Sequence, residues 1–179
     1  IDFNVGSVAT KGLEIEAGYK LNNNWSVYGS GTYNISTMKN DLPLTATASL
    51  PTAGAQLPDT PNWMTGLRVS YQSNSWYGNL DMKYTGAAYS TLVNDEKMAS
   101  YTLFNGAIGY RFEDYGVLKN PSIQFNVYNI FNTKYQRISS PSGSGFTPNA
   151  VALPGLPAVA PSYYIGAPTF VSMTLRAGF

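Results

Sequence analysis

Trp63-Met64-Thr65-Gly66-Leu67-Arg68-Val69-Ser70-Tyr71, then Gln72-Ser73-Asn74-Ser75, then Trp76-Tyr77-Gly78-Asn79-Leu80-Asp81-Met82-Lys83-Tyr84 read as two extended strands joined by a tight polar turn. Each strand opens on Trp and closes on Tyr eight positions later, on the same side of a two-residue alternation. Successive side chains of a strand point to opposite faces, and at about 3.3 Å per residue eight steps cover roughly 26 Å. That is near the height of the lipid-facing band of a membrane barrel, whose two water boundaries favour amphipathic rings. Trp25 and Tyr33 repeat the spacing. Trp25, Tyr33, Trp63, Tyr71, Trp76 and Tyr84 are therefore the expected membrane-interface aromatics.

The alternation extends to seven segments: 12–21, 25–35, 63–71, 76–84, 101–112, 122–131 and 170–179. In the first, Leu13, Ile15, Ala17, Tyr19 and Leu21 share one parity, opposite Glu14, Glu16 and Lys20. In the last, Val171, Met173, Leu175 and Phe179 oppose Ser172, Thr174 and Arg176. Every charged residue inside the segments falls on the polar parity: Glu14, Glu16, Lys20, Arg68, Asp81, Lys83, Arg111 and Arg176. Hydrocarbon demands this sorting, because Arg or Lys on the lipid face near the midplane costs about 2–4 kcal/mol. A soluble antiparallel sandwich also turns its charges to one face, so alternation alone does not separate the two.

Connection lengths do. Residues 22–24 and 72–75 are short polar turns, whereas 36–62, 86–100 and 132–169 are long and rich in Gly, Pro, Ser, Thr and Ala. The moderate connection 113–121 falls on the short side. Short turns at one rim and long loops at the other are the pattern of bacterial outer-membrane barrels, with the long loops outside the cell. The predicted fold is all-β: an antiparallel transmembrane β-barrel whose polar parity, with Glu14, Glu16, Arg68, Asp81, Lys83, Arg111 and Arg176, faces the lumen.

Composition fits that prediction. The mean hydropathy of -0.16 would suit a soluble chain, and no apolar run approaches the roughly 18 residues of a spanning helix. Alternation hides the membrane signal, since every other residue meets lipid. Tyr is abundant at 14 residues while charged residues make up 12%, which suits interface girdles. A net charge of +1 gives no basic stripe for nucleic acid. Cysteine is absent, so there is no disulfide framework.

Ile1 to Lys11 reads as the tail of a loop, and Ile1, Phe3 and Val5 alternate as the end of one further strand. Seven strands do not close an ordinary single-chain bacterial barrel, and an open sheet in lipid leaves its edge groups unsatisfied. The expectation is a C-terminal portion of something larger, with the missing part before Ile1. The terminal pattern Val171, Met173, Leu175 and Phe179 resembles the signal read by the barrel-assembly machinery, by strand addition. The alternative is that Phe179 is simply a girdle residue at the periplasmic rim.

Four phrases carry a family resemblance. Asn4-Val5-Gly6 followed by Thr10-Lys11-Gly12-Leu13-Glu14-Ile15-Glu16 is similar to a loop-to-strand phrase ending G-[VL]-E-[LI]-E. Ser100-Tyr101-Thr102-Leu103-Phe104-Asn105 through Gly109-Tyr110-Arg111-Phe112 resembles a penultimate downward strand. Asn129-Ile130-Phe131-Asn132 with Lys134-Tyr135 is similar to N-[LI]-[FL]-[DN]-x-x-Y. Gly166-Ala167-Pro168 precedes the last strand as G-x-P-R usually does, with Thr169 in place of the Arg. In this order the phrases resemble the C-terminal barrel of TonB-dependent outer-membrane receptors.

The resemblance implies a barrel of roughly 22 strands around a plug, of which residues 1–179 supply the last seven. It implies an outer-membrane receptor of a Gram-negative bacterium that imports a scarce nutrient such as a ferric siderophore, cobalamin or an oligosaccharide. Implied partners are the lipid bilayer, the assembly machinery, the receptor's own plug and an inner-membrane energy-coupling complex. No plug and no energy-coupling box occur in this sequence. The long loops would capture ligand, and the lumen charges would contact plug or ligand, or else pair with one another across strands.

Catalysis is not expected, nor is a metal site or a cofactor. The sequence has no His, which removes the commonest general base and metal ligand. Glu14 and Glu16 share a face about 7 Å apart, a spacing open to a carboxylate-pair reading, but lumen lining explains them without a pocket. A passive porin would share the alternation but lack a plug upstream. A soluble β-sandwich binding module would need no detergent.

Overall fold

The ladder of hydrogen bonds follows chain order without a crossover. The computed structural model describes residues 6–43, 46–138 and 161–179. Within them a single seven-stranded antiparallel sheet contains β1 (Val8–Lys20), β2 (Trp25–Met38), β3 (Trp63–Gln72), β4 (Trp76–Thr85), β5 (Tyr101–Arg111), β6 (Lys119–Tyr128) and β7 (Phe170–Gly178). The described residues contain no helix. The sheet is open: β1 pairs with β2 alone and β7 with β6 alone. Ile1, Phe3 and Val5 lie outside the described residues, as do 44–45 and 139–160 of the long loops.

All seven segments form strands, but several ends differ from the reading of the sequence. β1 starts at Val8, so 8–11 belong to the strand rather than to a loop tail. Lys11 thereby joins the apolar parity, an exception to the charge sorting. It pairs with Ile35, one step outside the Leu13–Tyr33 row, where a cation leaves the apolar band. Leu21 belongs to the turn, its amide donating to the Trp25 carbonyl at 2.9 Å. The Asn22 side chain closes that turn by accepting from the amides of Asn24 and Trp25, each at 2.9 Å.

The sixth strand runs from Lys119 to Tyr128 instead of 122–131. Asn129 and Asn132 take φ of 50° and 51°, a left-handed backbone that Asn tolerates better than most residues and that ends an extended run. At the other end, Asp114 accepts from the Asn120 amide at 2.9 Å and from Lys119 Nζ at 3.1 Å. These bonds hold the Asp114 carboxyl below its ordinary range, the backbone bond contributing most. The connection is thus a shorter turn than 113–121.

Where the apolar core sits decides what the sheet is for. Leu13, Ile15, Leu67, Leu80, Ile108, Met173 and Leu175 are exposed, and Leu175 keeps 67% of its surface open. The buried apolar cluster of Met38, Leu42, Leu50 and Leu92 lies instead where the first two long loops meet, with Val8, Ala55, Leu57 and Val93 against it. A soluble sandwich packs one sheet face on a second sheet. Here the other sheets among the described residues are two-stranded loop hairpins.

The paired substitution Leu67→Arg and Ser70→Arg tests which face meets hydrocarbon. In lipid vesicles Leu67→Arg is expected to lower unfolding stability by about 2–4 kcal/mol and Ser70→Arg by much less. Equal losses would contradict the assignment.

Candidate functional site

The polar parity of the strands builds one wall of the site. Arg68 and Asp81 stand directly opposite each other on β3 and β4. The Arg68 Nε donates to Asp81 Oδ1, and the Asn79 amide donates to Asp81 Oδ2. On β2 the Tyr28 hydroxyl donates to Glu16 of β1. The Arg111 guanidinium lies 4.2 Å from the Tyr77 ring centre and donates to the Ser73 carbonyl at 3.3 Å. Exposed pairs of this kind add little stability, so their effect is to hold the wall's charges in place.

Lys83, Arg176 and Glu14 form no ion pair among the described residues. Lys83 lines an open groove with Tyr28, Thr32, Arg68, Asp81 and Asn105. Arg176 pairs in register with Ser122, and Glu14 with Thr32. The sequence set therefore divides: Arg68 and Asp81 meet, Glu16 meets a tyrosine, Arg111 meets a ring, and Lys83 is left facing the groove.

The aromatics pair across strands at two heights. Trp25 meets Tyr71 at 4.9 Å and Trp76 meets Tyr110 at 4.9 Å near the short turns. Tyr33 meets Trp63 at 4.5 Å near the long loops. Tyr84 follows the same parity between Thr65 and Thr102. Tyr110 and Phe112, their rings 4.9 Å apart, continue the exterior pattern, and the parity of segment 101–112 is enough to add them to the interface aromatics. The stacked Tyr128–Phe170 pair, 4.4 Å apart, lies on the opposite parity, with Gln124, Asn126, Ser172 and Thr174. Val171, Met173 and Leu175 pair with Val127, Phe125 and Ile123 and stay exposed, as does Phe179 beyond the strand end.

The long loops form the second wall, and they hold one another. Gln56 of the first loop and Asn94 of the second exchange two bonds: the Gln56 amide donates to Asn94 Oδ1 at 2.6 Å, and Asn94 Nδ2 donates to the Gln56 carbonyl at 2.8 Å. The Asp59 amide donates to the Tyr89 carbonyl at 2.9 Å. The third loop joins through Arg137, 3.6 Å from Asp59, and through Tyr163. The Tyr163 hydroxyl meets Ser90 Oγ at 2.8 Å and donates to Glu96. Ser90 and Thr91 are fully buried beneath these contacts.

Beneath the loops, Asp59, Lys83, Thr85, Tyr101, Gln136 and Arg137 line a cavity of about 160 Å³. Lys83 belongs to both this cavity and the polar groove, so the two walls are continuous. The arrangement offers cations, amides and a phenol ring to a polar solute entering from the loop end. No cluster of three or more His, Cys, Asp or Glu side chains among the described residues is placed to hold a metal ion.

The motif residues brace this entrance. Asn129 is 5% exposed and bonds in several directions: its amide donates to Asn105 Oδ1 at 2.9 Å, and its Nδ2 donates to the Thr133 and Ala167 carbonyls at 3.0 and 2.9 Å. The Thr169 hydroxyl donates to the Asn129 carbonyl at 2.6 Å. Thr169 thus fastens the start of β7 to the end of β6 where the family phrase has Arg. Gly166 lies beneath the Tyr135 ring, where a Cβ would come within 2.1 Å of ring atoms. That ring stacks on Tyr101 at 4.4 Å.

An antiparallel meander with an apolar exterior, a polar reverse face and long loops gathered at one end defines the class as an outer-membrane-type β-barrel sheet. The family model described as "TonB dependent receptor-like, beta-barrel" matches residues 1–130, and the chain belongs to that family. This is a family of outer-membrane transport receptors rather than enzymes. A comparison with curated proteins finds no match.

Three solved structures share the fold. The ferric citrate transporter FecA in its unliganded form matches with TM-score 0.72 and 20% identity over 93% of this chain and 23% of its own. The ferric yersiniabactin uptake receptor FyuA from Yersinia pestis gives 0.68 and 17% over 96% of this chain and 24% of its own. The siderophore receptor PiuA from Acinetobacter baumannii gives 0.59 and 18% over 72% and 18%. The chain therefore spans no more than about a quarter of the length of these structures.

Burial, followed by the bond to Glu96, pushes the Tyr163 hydroxyl up to about 12. A pKa raised in the folded state gives stability that is complete below the ordinary tyrosine value of about 10 and is lost as pH rises through 12. Ultraviolet titration is expected to show a late-ionising tyrosine that Tyr163→Phe removes. An unchanged late step in that variant would contradict the contact between the loops.

Proposed function

We propose that this chain forms the C-terminal seven strands of a plugged outer-membrane barrel of roughly 22 strands, and that the complete receptor imports a ferric siderophore. Energy comes from the inner-membrane TonB complex acting on the plug. Membership of the family supports the transport class. The siderophore class is supported by the likeness to FecA, a ferric citrate transporter, FyuA, a ferric yersiniabactin uptake receptor, and PiuA, a siderophore receptor. Cobalamin and oligosaccharides are the competing cargoes.

The observation that carries the reading is the continuity between loops and wall. Three loops assembled by Gln56–Asn94, Asp59–Arg137 and Tyr163–Glu96 contacts stand over the cavity that Lys83 shares with the polar face. In this mechanism the loops capture the ligand, the cations and amides below them position it, and the charged wall of Arg68, Asp81, Arg111 and Arg176 faces the plug. The exterior aromatics Trp25, Tyr33, Trp63, Tyr71, Trp76 and Tyr84 anchor the barrel at the two bilayer interfaces. Val171, Met173, Leu175 and Phe179 present the last strand to the barrel-assembly machinery.

Uptake of radioactive iron from a panel of ferric siderophores by cells expressing the complete receptor tests this directly. One siderophore is expected to be taken up, with uptake abolished by a proton-motive-force uncoupler and binding lost when 39–62, 86–100 and 132–169 are cut to tight turns. Uptake that persists with the uncoupler would support a passive pore instead. Binding unchanged by loop shortening would overturn the capture role.

A further inference from the structure

The exterior face has a notch over Gly78 that its own side chains leave open. At one register height the strands β2 to β7 present Trp25, Tyr71, Gly78, Ile108, Phe125 and Met173 in turn. Five of these are large and Gly78 is the gap. Trp25, Val69, Tyr71, Trp76, Leu80 and Ile108 wall a depression of about 530 Å³ over it. At Gly106, by contrast, Ile130 and Leu80 fill the space, at 3.5 and 3.8 Å from a Cβ position. At Gly78 the nearest atoms are backbone, and a Cβ would stand 2.5 Å from the Ala107 carbonyl oxygen. Close strand approach therefore fixes the glycine and the notch with it.

Trp76 also borders a second depression, of about 390 Å³, lined by Asn24, Ser73, Asn74, Ser75 and Tyr110. Those side chains are amides, hydroxyls and a phenol, without a charged group. The nearest cation, Arg111, is engaged by the Tyr77 ring and the Ser73 carbonyl. An apolar notch and an uncharged polar shelf thus meet at one tryptophan, at the rim of the short turns. This is the outline of an amphiphile.

We propose that the two depressions together bind one phospholipid of the periplasmic leaflet, with a zwitterionic headgroup. One acyl chain fills the notch over Gly78, Trp76 lies at the level of the glycerol esters, and the headgroup hydrogen-bonds to the Asn74 and Ser75 side chains, while Asn24 Nδ2 and Ser73 Oγ hold the turn through Gln72 and Trp76. The notch is continuous with the face that meets hydrocarbon, so the inference rests on the membrane reading of that face. A lining with hydrogen-bonding groups and no net charge selects a headgroup whose phosphate and ammonium cancel, over an anionic one.

Native mass spectrometry of the complete receptor, delipidated and offered equal phosphatidylethanolamine and phosphatidylglycerol, tests the site. One phosphatidylethanolamine is expected to be retained in preference to phosphatidylglycerol. Val69→Trp, which fills the notch, should weaken retention about tenfold. Ser75→Asp, which adds a negative charge to the shelf, should weaken it in the same direction if Val69→Trp fails to fold. Ile15→Trp, on the same face but away from the notch, should leave it unchanged. Equal retention of the two lipids, or full retention by the folded notch variants, would overturn the proposal. Spin-labelled lipid separates this failure from a deeper one: an immobilised lipid shell without a selective site sinks the inference alone, whereas no immobilised lipid at all sinks the membrane reading too.

Discussion

Hydrocarbon offers a backbone no hydrogen-bond partners, and the rest of this structure follows from that constraint. Each N–H and C=O of a spanning strand must be satisfied by a neighbouring strand, so the chain forms a ladder in which every strand pairs with the next in sequence. Once the backbone is committed to extended pairing, a period of two fixes which side chains meet lipid. Leu67 and Val69 fall on one face, and Arg68 and Ser70 on the other. The open edges of β1 and β7 are the unsatisfied remainder of the same requirement.

The constraint also explains where packing energy is concentrated. A strand whose apolar side chains dissolve in lipid needs no buried core beneath it, and among the described residues the buried apolar cluster lies at the loop end of the sheet. At the loop end the chain re-enters water, and there Met38, Leu42, Leu50 and Leu92 bury themselves. The loops are consequently a small folded layer, tied by the reciprocal Gln56–Asn94 bonds and roofed over buried Ser90 and Thr91. In the proposed capture role these groups are already placed before a ligand arrives, which lowers the entropy cost of binding.

How much of this was legible in the sequence depends on which physical rule acts at each residue. Lipid enforces alternation strictly, so Trp63 to Tyr71 and Trp76 to Tyr84 were readable as strands with the correct faces. The enforcement stops outside the band: 8–11 and 36–38 continue the ladder in the loop layer, where Lys11 is tolerated on the exterior parity. Asn129 ended β6 earlier than Phe131, in phase with Phe125 and Val127, suggested, because a left-handed backbone outranks side-chain pattern. The contacts of Tyr163 with Glu96 and of Arg137 with Asp59 join segments far apart in the chain and carry no periodic signal. The family phrases marked Asn129 and Tyr135 in one motif and Gly166 in another, and the structure brings the two together: a buried amide bonded to the Ala167 carbonyl, a ring stacked on Tyr101 and a glycine beneath that ring.

The central claim is that odd and even positions of β3 meet different solvents. Nitroxide labels placed singly at each position from 63 to 72 of the complete receptor in lipid vesicles measure this through collision with oxygen, which concentrates in hydrocarbon, and with a water-soluble nickel chelate. The account predicts oxygen-dominated relaxation at positions 65, 67 and 69, lower access for oxygen at 66, 68 and 70, and a period of two throughout. Uniform access along the strand, or nickel-dominated relaxation at position 67, would contradict it.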